Sequence, residues 1–148
     1  MMYFAKPMIY YKERLTPAEV LSIGRYKRYD FFIVNMGTHP TAYVRIPKTH
    51  PLYEKHYDEA NPAPKGFLGG IFTFAEHSAH FDGFLDSLIP RGWYLGWDYA
   101  HIGDYIGNPF RPFNPETERK YTTEEMIEDC KTVINYLLEK KDVARERD

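Results

Sequence analysis

The chain has 148 residues, of which 43% are hydrophobic and 27% are charged, and its formal net charge is −2. These values predict a single soluble domain, 1–148, and exclude a disordered chain or a general attraction to nucleic acid polymers and anionic lipid. Because Cys130 is the only cysteine in the sequence, an intramolecular disulfide is excluded. No apolar run reaches about 18 residues and the start lacks a signal-peptide pattern, so we expect a cytoplasmic protein without membrane partners.

The first part of the chain predicts a short helix followed by a hairpin. Thr16 and Glu19 can form a capping box, which predicts a helix over 17–23. Two strands are predicted at 31–36 and 41–46, because both segments are rich in β-branched and aromatic residues. A turn separates them, so we expect the two strands to pair as a hairpin.

The middle of the chain predicts one long loop and two further strands. Residues 48–65 are rich in proline and lack periodicity, which is typical of a functional loop, and we interpret them as a lid. A strand is predicted near 70–75, directly after two glycines, and an aromatic strand at 93–98. The polar segment 76–90 is predicted to connect them.

The last part predicts a helix at 123–138, because a capping box precedes an apolar stripe at helical spacing. The charged residues 139–148 are expected to fray. The stripe comprises Met126, Ile127, Cys130, Val133, Ile134, Leu137 and Leu138. The predicted fold class is α+β, a mostly antiparallel sheet with this helix packed on one face and long aromatic-rich loops.

Two carboxylates and an imidazole follow the aromatic strand at Asp98, His101 and Asp104. His101 could act as an acid or base that a carboxylate orients, and the three groups could also ligate a metal. Alternatively, the carboxylates cap turns while the imidazole bonds the backbone. We predict no metal here and assign no catalytic residue; if the protein is an enzyme, these three are the candidates.

Cations and aromatic rings alternate at Arg25, Lys27 and Arg28, with Tyr26 and Tyr29 between and after them. This composition suits phosphates and stacked bases, although cations at the end of a helix are also favoured by its dipole. The sequence contains no Walker A loop and no dinucleotide-binding, esterase or zincin signature, so no cofactor is expected.

Three blocks of the sequence resemble a family of small, mostly uncharacterised proteins of tailed phages and prophages. They are Tyr43-Val44-Arg45-Ile46-Pro47 with His50-Pro51 and Tyr53, then Gly69-Gly70-Ile71 with Thr73-Phe74, and finally the segment 93–104, which ends in Gly-Trp-Asp-Tyr-Ala-His-Ile-Gly-Asp. Leu68 stands where the family has a histidine before the glycine pair, which counts against a conserved hydrolytic dyad. The resemblance implies a phage origin and, by analogy, an anti-defence role.

The combined expectation is an anti-defence protein that binds and sequesters a cyclic nucleotide or a related nucleotide immune signal. We expect a homo-oligomer in which the 50–53 segment approaches 98–104 to form a single pocket. The alternatives are a small hydrolase acting on such a nucleotide and an interaction protein that inhibits a host enzyme. The expected ligand-binding residues are Arg25, Lys27, Arg28, Tyr43, Arg45, His50, Tyr53, Gly69, Gly70, Trp97, Asp98, His101 and Asp104.

Overall fold

The computed structural model describes residues 8–9, 18–35, 39–81, 83–99 and 120–146, which form an α+β fold. A six-stranded antiparallel sheet has the order β1-β2-β3-β4-β6-β5. The elements are β1 (Met8–Ile9), β2 (Ala18–Tyr26), β3 (Tyr29–Asn35), β4 (Pro40–Ile46), β5 (Phe74–His77), α1 (Gly83–Leu88), β6 (Trp93–Asp98) and α2 (Thr123–Glu146). The predicted fold class is confirmed.

Helix α2 packs on one face of the sheet, and we call this side the α2 face. The apolar stripe predicted for the helix is confirmed, because Cys130, Ile134 and Leu137 are fully buried against the sheet. Each large apolar side chain buried in this way contributes about 1.5–3 kcal/mol to stability. The opposite side, which we call the α1 face, has a second apolar cluster that includes Leu85 of α1 and Ile89 just after it.

The structure corrects the helix predicted over 17–23, because this segment belongs to β2. Val20 and Ile23 are buried on the α1 face, and each gains more from burial than a helix cap contributes, about 1 kcal/mol. The β2–β3 connection is a two-residue turn in which Lys27 and Arg28 have φ of 47° and 70°. Two positive φ angles are the requirement of a type I′ hairpin turn.

Strands β3, β4 and β6 confirm the predicted strands, whereas three other boundaries differ. The strand predicted at 70–75 is instead β5, because the chain at Gly69 and Gly70 turns before pairing begins. The segment 76–90 contains α1, and α2 continues to Glu146 through most of the tail that was expected to fray.

The loop 48–65 is tied to α2 and to the following segment by side-chain hydrogen bonds. The Tyr136 hydroxyl donates to the carbonyl of Pro62 at 3.1 Å. Asn61 imitates a strand, because its amide donates to the Phe72 carbonyl and accepts from the Phe72 N–H, both at 3.1 Å. This loop therefore forms a wall of the α2-face core, and the lid interpretation is wrong for the conformation observed.

A buried carboxylate joins α2 to the end of this region and to the segment after β6. Asp129, only 2% exposed, accepts from the N–H groups of Leu68 and Gly69 at 2.8 and 2.9 Å and from the Tyr99 hydroxyl at 2.7 Å. Tyr99 in turn accepts from Trp97 Nε1 at 3.0 Å. Burial, chiefly, and the neighbouring carboxylate raise the pKa of Tyr99, so its phenol remains a donor.

Replacing Asp129 with alanine should leave those donors buried without an acceptor. We expect Asp129→Ala to lower the free energy of unfolding by about 3–5 kcal/mol, measured by urea denaturation. The matched control is Glu128→Ala, which removes an exposed carboxylate paired with Lys131 and should change stability by less than about 0.5 kcal/mol. Equal effects of the two substitutions would contradict the role given to Asp129.

Candidate functional site

A cleft of about 430 Å³ opens on the α1 face between the β2–β3 hairpin and the residues that follow α1. Ile23, Phe32 and Tyr94 belong to its lining on the sheet side, and the segment 87–90 lines the opposite side. The volume lies within the range of about 300–1,000 Å³ that is typical of small-molecule sites. It is therefore the candidate site on this face.

The register places the side chains of this face in two rows that cross the strands. In the apolar row Ile23 lies opposite Phe32, Phe32 opposite Tyr43, and Tyr43 opposite Gly96. Phe32 stacks on Tyr43 with ring centroids 4.6 Å apart and an interplanar angle of 16°. A Cβ at Gly96 would come within 2.7 Å of the Tyr43 ring, so glycine is required for this close approach.

Further aromatic rings pack against the side chains of this row. Phe74 of β5 meets Tyr43 edge-on at 5.2 Å, and Phe81 lies 6.2 Å from Phe32 and 5.5 Å from Tyr94. Tyr94 meets Phe32 edge-on at 5.5 Å. Such contacts add about 0.5–1.5 kcal/mol per pair and hold the apolar side of the cleft in a fixed shape.

The polar row carries charge to the mouth of the cleft. Asp30 lies between two guanidinium groups, 3.6 Å from Arg25 Nε and 3.8 Å from Arg45 Nη1. Arg45 also donates to the carbonyl of Arg91 at 3.0 Å, and its Nε would lie 2.5 Å from a Cβ at Gly92. The Arg25 side chain is 65% exposed, against 34% for Arg45. One arginine is therefore fixed and the other is accessible to a ligand.

The Tyr94 hydroxyl completes the polar lining. It donates to the carbonyl of Pro90 at 2.6 Å, which joins β6 to the segment after α1. Burial is the main cause that raises the pKa of Tyr94, so the phenol stays protonated at neutral pH. This group can orient a ligand but is poorly suited to accept a proton.

The structure brings together only part of the residue set that the sequence predicts. Arg25 lines the cleft, Arg45 shares Asp30 with it, and Tyr43 supports Phe32 from the next strand. The turn residue Arg28 is exposed and does not line the cleft, although its carbonyl accepts from Arg25 at 3.5 Å.

Other predicted residues lie outside the cleft. Lys27 donates to Asn135 of α2 at 2.8 Å, and Tyr53 packs against the α2-face core. Trp97 is fully buried in that same core. The two glycines expected to bind a ligand lie in the turn before β5, where the Gly69 N–H donates to Asp129 and Gly70 has a φ of +81°. His101 and Asp104 lie outside the described residues.

The structure does not bring His50 and Asp98 together, as the expected pocket between 50–53 and 98–104 requires, and residues 100–104 lie outside the described residues. His50 follows the end of β4 at which Ile46 pairs with Trp93, whereas Asp98 pairs with Thr41 at the other end. Five residues separate these two pairs along the strand, which corresponds to about 17 Å. The antiparallel register therefore holds His50 and Asp98 at opposite ends of β4.

The sequence reading missed Asp30, Phe32 and Tyr94. A signal for Asp30 exists, because a hairpin turn at 27–28 makes Arg25 and Asp30 directly opposite neighbours. The two other residues are apolar strand positions of the kind found in any core, and only the position of α1 makes them part of a cleft.

No family model, curated protein or solved structure matches the chain. Within the described residues, no group of three or more His, Cys, Asp or Glu could hold a metal ion. No helix in that part of the chain is both long and apolar enough to cross a membrane.

His50 has a structural position in the α2-face wall. It is 3% exposed, and its Nε2 lies 2.7 Å from the Leu137 carbonyl while Nδ1 accepts from the N–H of Leu52 at 3.0 Å. A carbonyl can only accept and an N–H can only donate, so the geometry requires the neutral ring protonated at Nε2. Burial is the largest cause that lowers the pKa of His50; the hydrogen bond to the Leu137 carbonyl opposes this effect, and the cations Lys141 and Lys140 add to it.

This position predicts a loss of stability in acid. As the pH falls through about 6.5 the unfolded chain takes up the proton first, because the folded pKa is lower, and folding stability decreases. His50→Asn removes the titrating ring, so we expect it to flatten this dependence of the unfolding free energy on pH. The amide oxygen of the asparagine can still accept from the Leu52 N–H, which preserves the local structure.

The matched control is His56→Asn, because the exposed His56 also accepts from a backbone N–H two residues later, that of Asp58. This variant should keep the pH dependence of the wild-type protein. A wild-type slope retained by His50→Asn would contradict the assignment.

Proposed function

We propose that the cleft on the α1 face binds a small ligand that combines an aromatic ring with a phosphate, which is the chemistry of a nucleotide. The observation that carries this proposal is the accessible Arg25 guanidinium at the mouth of an apolar cleft of about 430 Å³. In this arrangement the ring of the ligand lies against Ile23 and Phe32, and its phosphate pairs with Arg25.

The charge balance at the mouth supports an anionic ligand. Arg25 and Arg45 share the single carboxylate of Asp30, so the cluster of three side chains carries an excess of one positive charge. The Arg25 side chain is 65% exposed, which makes its ion pair with Asp30 at 3.6 Å weak. A phosphate can therefore engage Arg25 at little cost.

The same groups favour holding the ligand over converting it. The Tyr94 phenol is protonated and already bonded to Pro90, and Asp30 is engaged by two arginines. Together with the resemblance to phage proteins, this favours sequestration of a nucleotide immune signal, for example a cyclic nucleotide. Assembly as a homo-oligomer is part of the same proposal, and light scattering tests it.

Removing the accessible guanidinium should weaken binding. Titration calorimetry with cyclic di- and trinucleotides and ADP-ribose derivatives should identify a ligand whose affinity falls by about tenfold or more in Arg25→Gln. The matched control is Arg28→Gln, which removes the same charge three residues after Arg25. Because the Arg28 side chain does not line the cleft, this variant should retain the affinity. Equal affinity of all three proteins for every nucleotide tested would contradict the assignment of this cleft.

Sequestration and turnover are separated by what is recovered after binding. The bound nucleotide should return chemically intact when the protein is denatured by heat and the released material is separated by chromatography. If the wild-type protein yields a hydrolysed product while the nucleotide incubated without protein stays intact, sequestration is contradicted and the protein is a hydrolase.

A further inference from the structure

A second concave surface lies along the last turns of α2, on the opposite side of the sheet from the cleft. It consists of two adjoining cavities of about 370 and 520 Å³ that share Pro51 and Ala144. We call this surface the α2 groove. One wall is the helix from Tyr136 to Arg145, and the other is the segment 49–52 that follows β4.

Hydrogen bonds within the protein hold both walls of the α2 groove in place before any ligand binds. His50 joins the 49–52 wall to the helix through the carbonyl of Leu137, and Tyr136 bonds the carbonyls of Ala60 and Pro62. A surface fixed in this way loses little conformational entropy when a partner binds.

One of the two cavities of the α2 groove is mainly apolar and exposed. Leu52 and Val143 line it, together with Glu139 and the Tyr136 ring, over which Lys140 lies at 5.0 Å. Val143 is 47% exposed and is one of only three large apolar side chains that are exposed among the described residues. About half of this side chain is therefore available for a contact.

The other cavity is cationic. Lys141 and Arg145 line it with Thr49, and neither cation has a carboxylate partner within 4.0 Å among the described residues. The dipole of α2 favours cations in its last turn, by about 0.3–1 kcal/mol. That effect explains their sign, but it does not explain the exposed valine in the adjoining cavity.

The length of the α2 groove indicates the kind of ligand. Nine residues of helix separate Tyr136 from Arg145, which corresponds to about 13 Å. An extended peptide of about four residues has this length. An open groove with one mainly apolar cavity and an adjoining cationic cavity matches a short segment that carries an apolar residue and, next to it, carboxylates.

We propose that the α2 groove is a docking site for an acidic peptide segment of a partner protein. An apolar side chain of the segment packs on Val143 and Leu52, and its carboxylates pair with Lys141 and Arg145. The site is independent of the nucleotide cleft, because the two lie on opposite faces of the sheet. Both can be occupied at the same time.

The test uses the full chain, isotope-labelled for nuclear magnetic resonance, and the peptide Leu-Phe-Glu-Glu together with its reverse sequence. Millimolar peptide should shift the amide resonances of Val143 and Ala144 and of the segment 49–52, with weaker binding at high salt. The matched peptide in which glutamine replaces both glutamates should bind at least about fivefold more weakly.

Substitutions on the helix locate the binding. The double variant Lys141→Gln/Arg145→Gln should bind the acidic peptide with an affinity at least about fivefold lower. The control variant Lys131→Gln, on the same helix, should keep the wild-type affinity. Absence of shifts, equal binding of the neutral peptide, or shifts at other residues would overturn the proposal. Equal competition by inorganic phosphate, or binding of phosphatidylserine vesicles in place of the peptide, would overturn it in favour of a general anion or membrane site.

Discussion

The rest of the structure depends on the burial of one carboxylate. Asp129 lies on the apolar stripe of α2 and is surrounded by donors from the turn at 68–69 and from Tyr99. A buried charge is costly unless hydrogen bonds satisfy it, so these donors have to converge. Gly69 permits the convergence, because a Cβ there would lie 2.4 Å from the Trp97 ring. The turn positioned in this way determines where β5 can begin.

The consequence of that turn reaches the candidate site on the other face. Because β5 begins at Phe74, this ring lies edge-on against Tyr43, which stacks on Phe32 in the lining of the cleft. The turn on the α2 face and the aromatic row on the α1 face are thus connected through β5. Successive side chains of β4 point to opposite faces of the sheet, so Val44 lies in the α2-face core while its neighbour Arg45 carries charge beside the cleft on the α1 face.

The sequence predicts those elements whose local pattern agrees with their tertiary surroundings. The stripe of Cys130, Ile134 and Leu137 has a single interpretation, β4 alternates visibly, and β6 is marked by its aromatic residues. In β2, however, a capping signal precedes residues that gain more from pairing with β3, and no local pattern reports the partner strand. The cleft was beyond prediction for the same reason, because Arg25 and Arg45 meet only through the registers of three strands. Asp129 gave a usable signal, an acidic residue on an otherwise apolar stripe.

The two arginines at the mouth of the cleft differ in a way that bears on how a ligand is held. Arg45 is fixed by Asp30 and by the carbonyl of Arg91, and Gly92 lies directly against its stem. Its charge is therefore in place before a ligand arrives and costs little entropy on binding. Arg25, being 65% exposed, has to be ordered by the ligand, which lowers the affinity but lets it reach phosphates in different positions. For the proposed nucleotide binding, a fixed cation and an adaptable one around a shared carboxylate favour several related ligands over a single geometry.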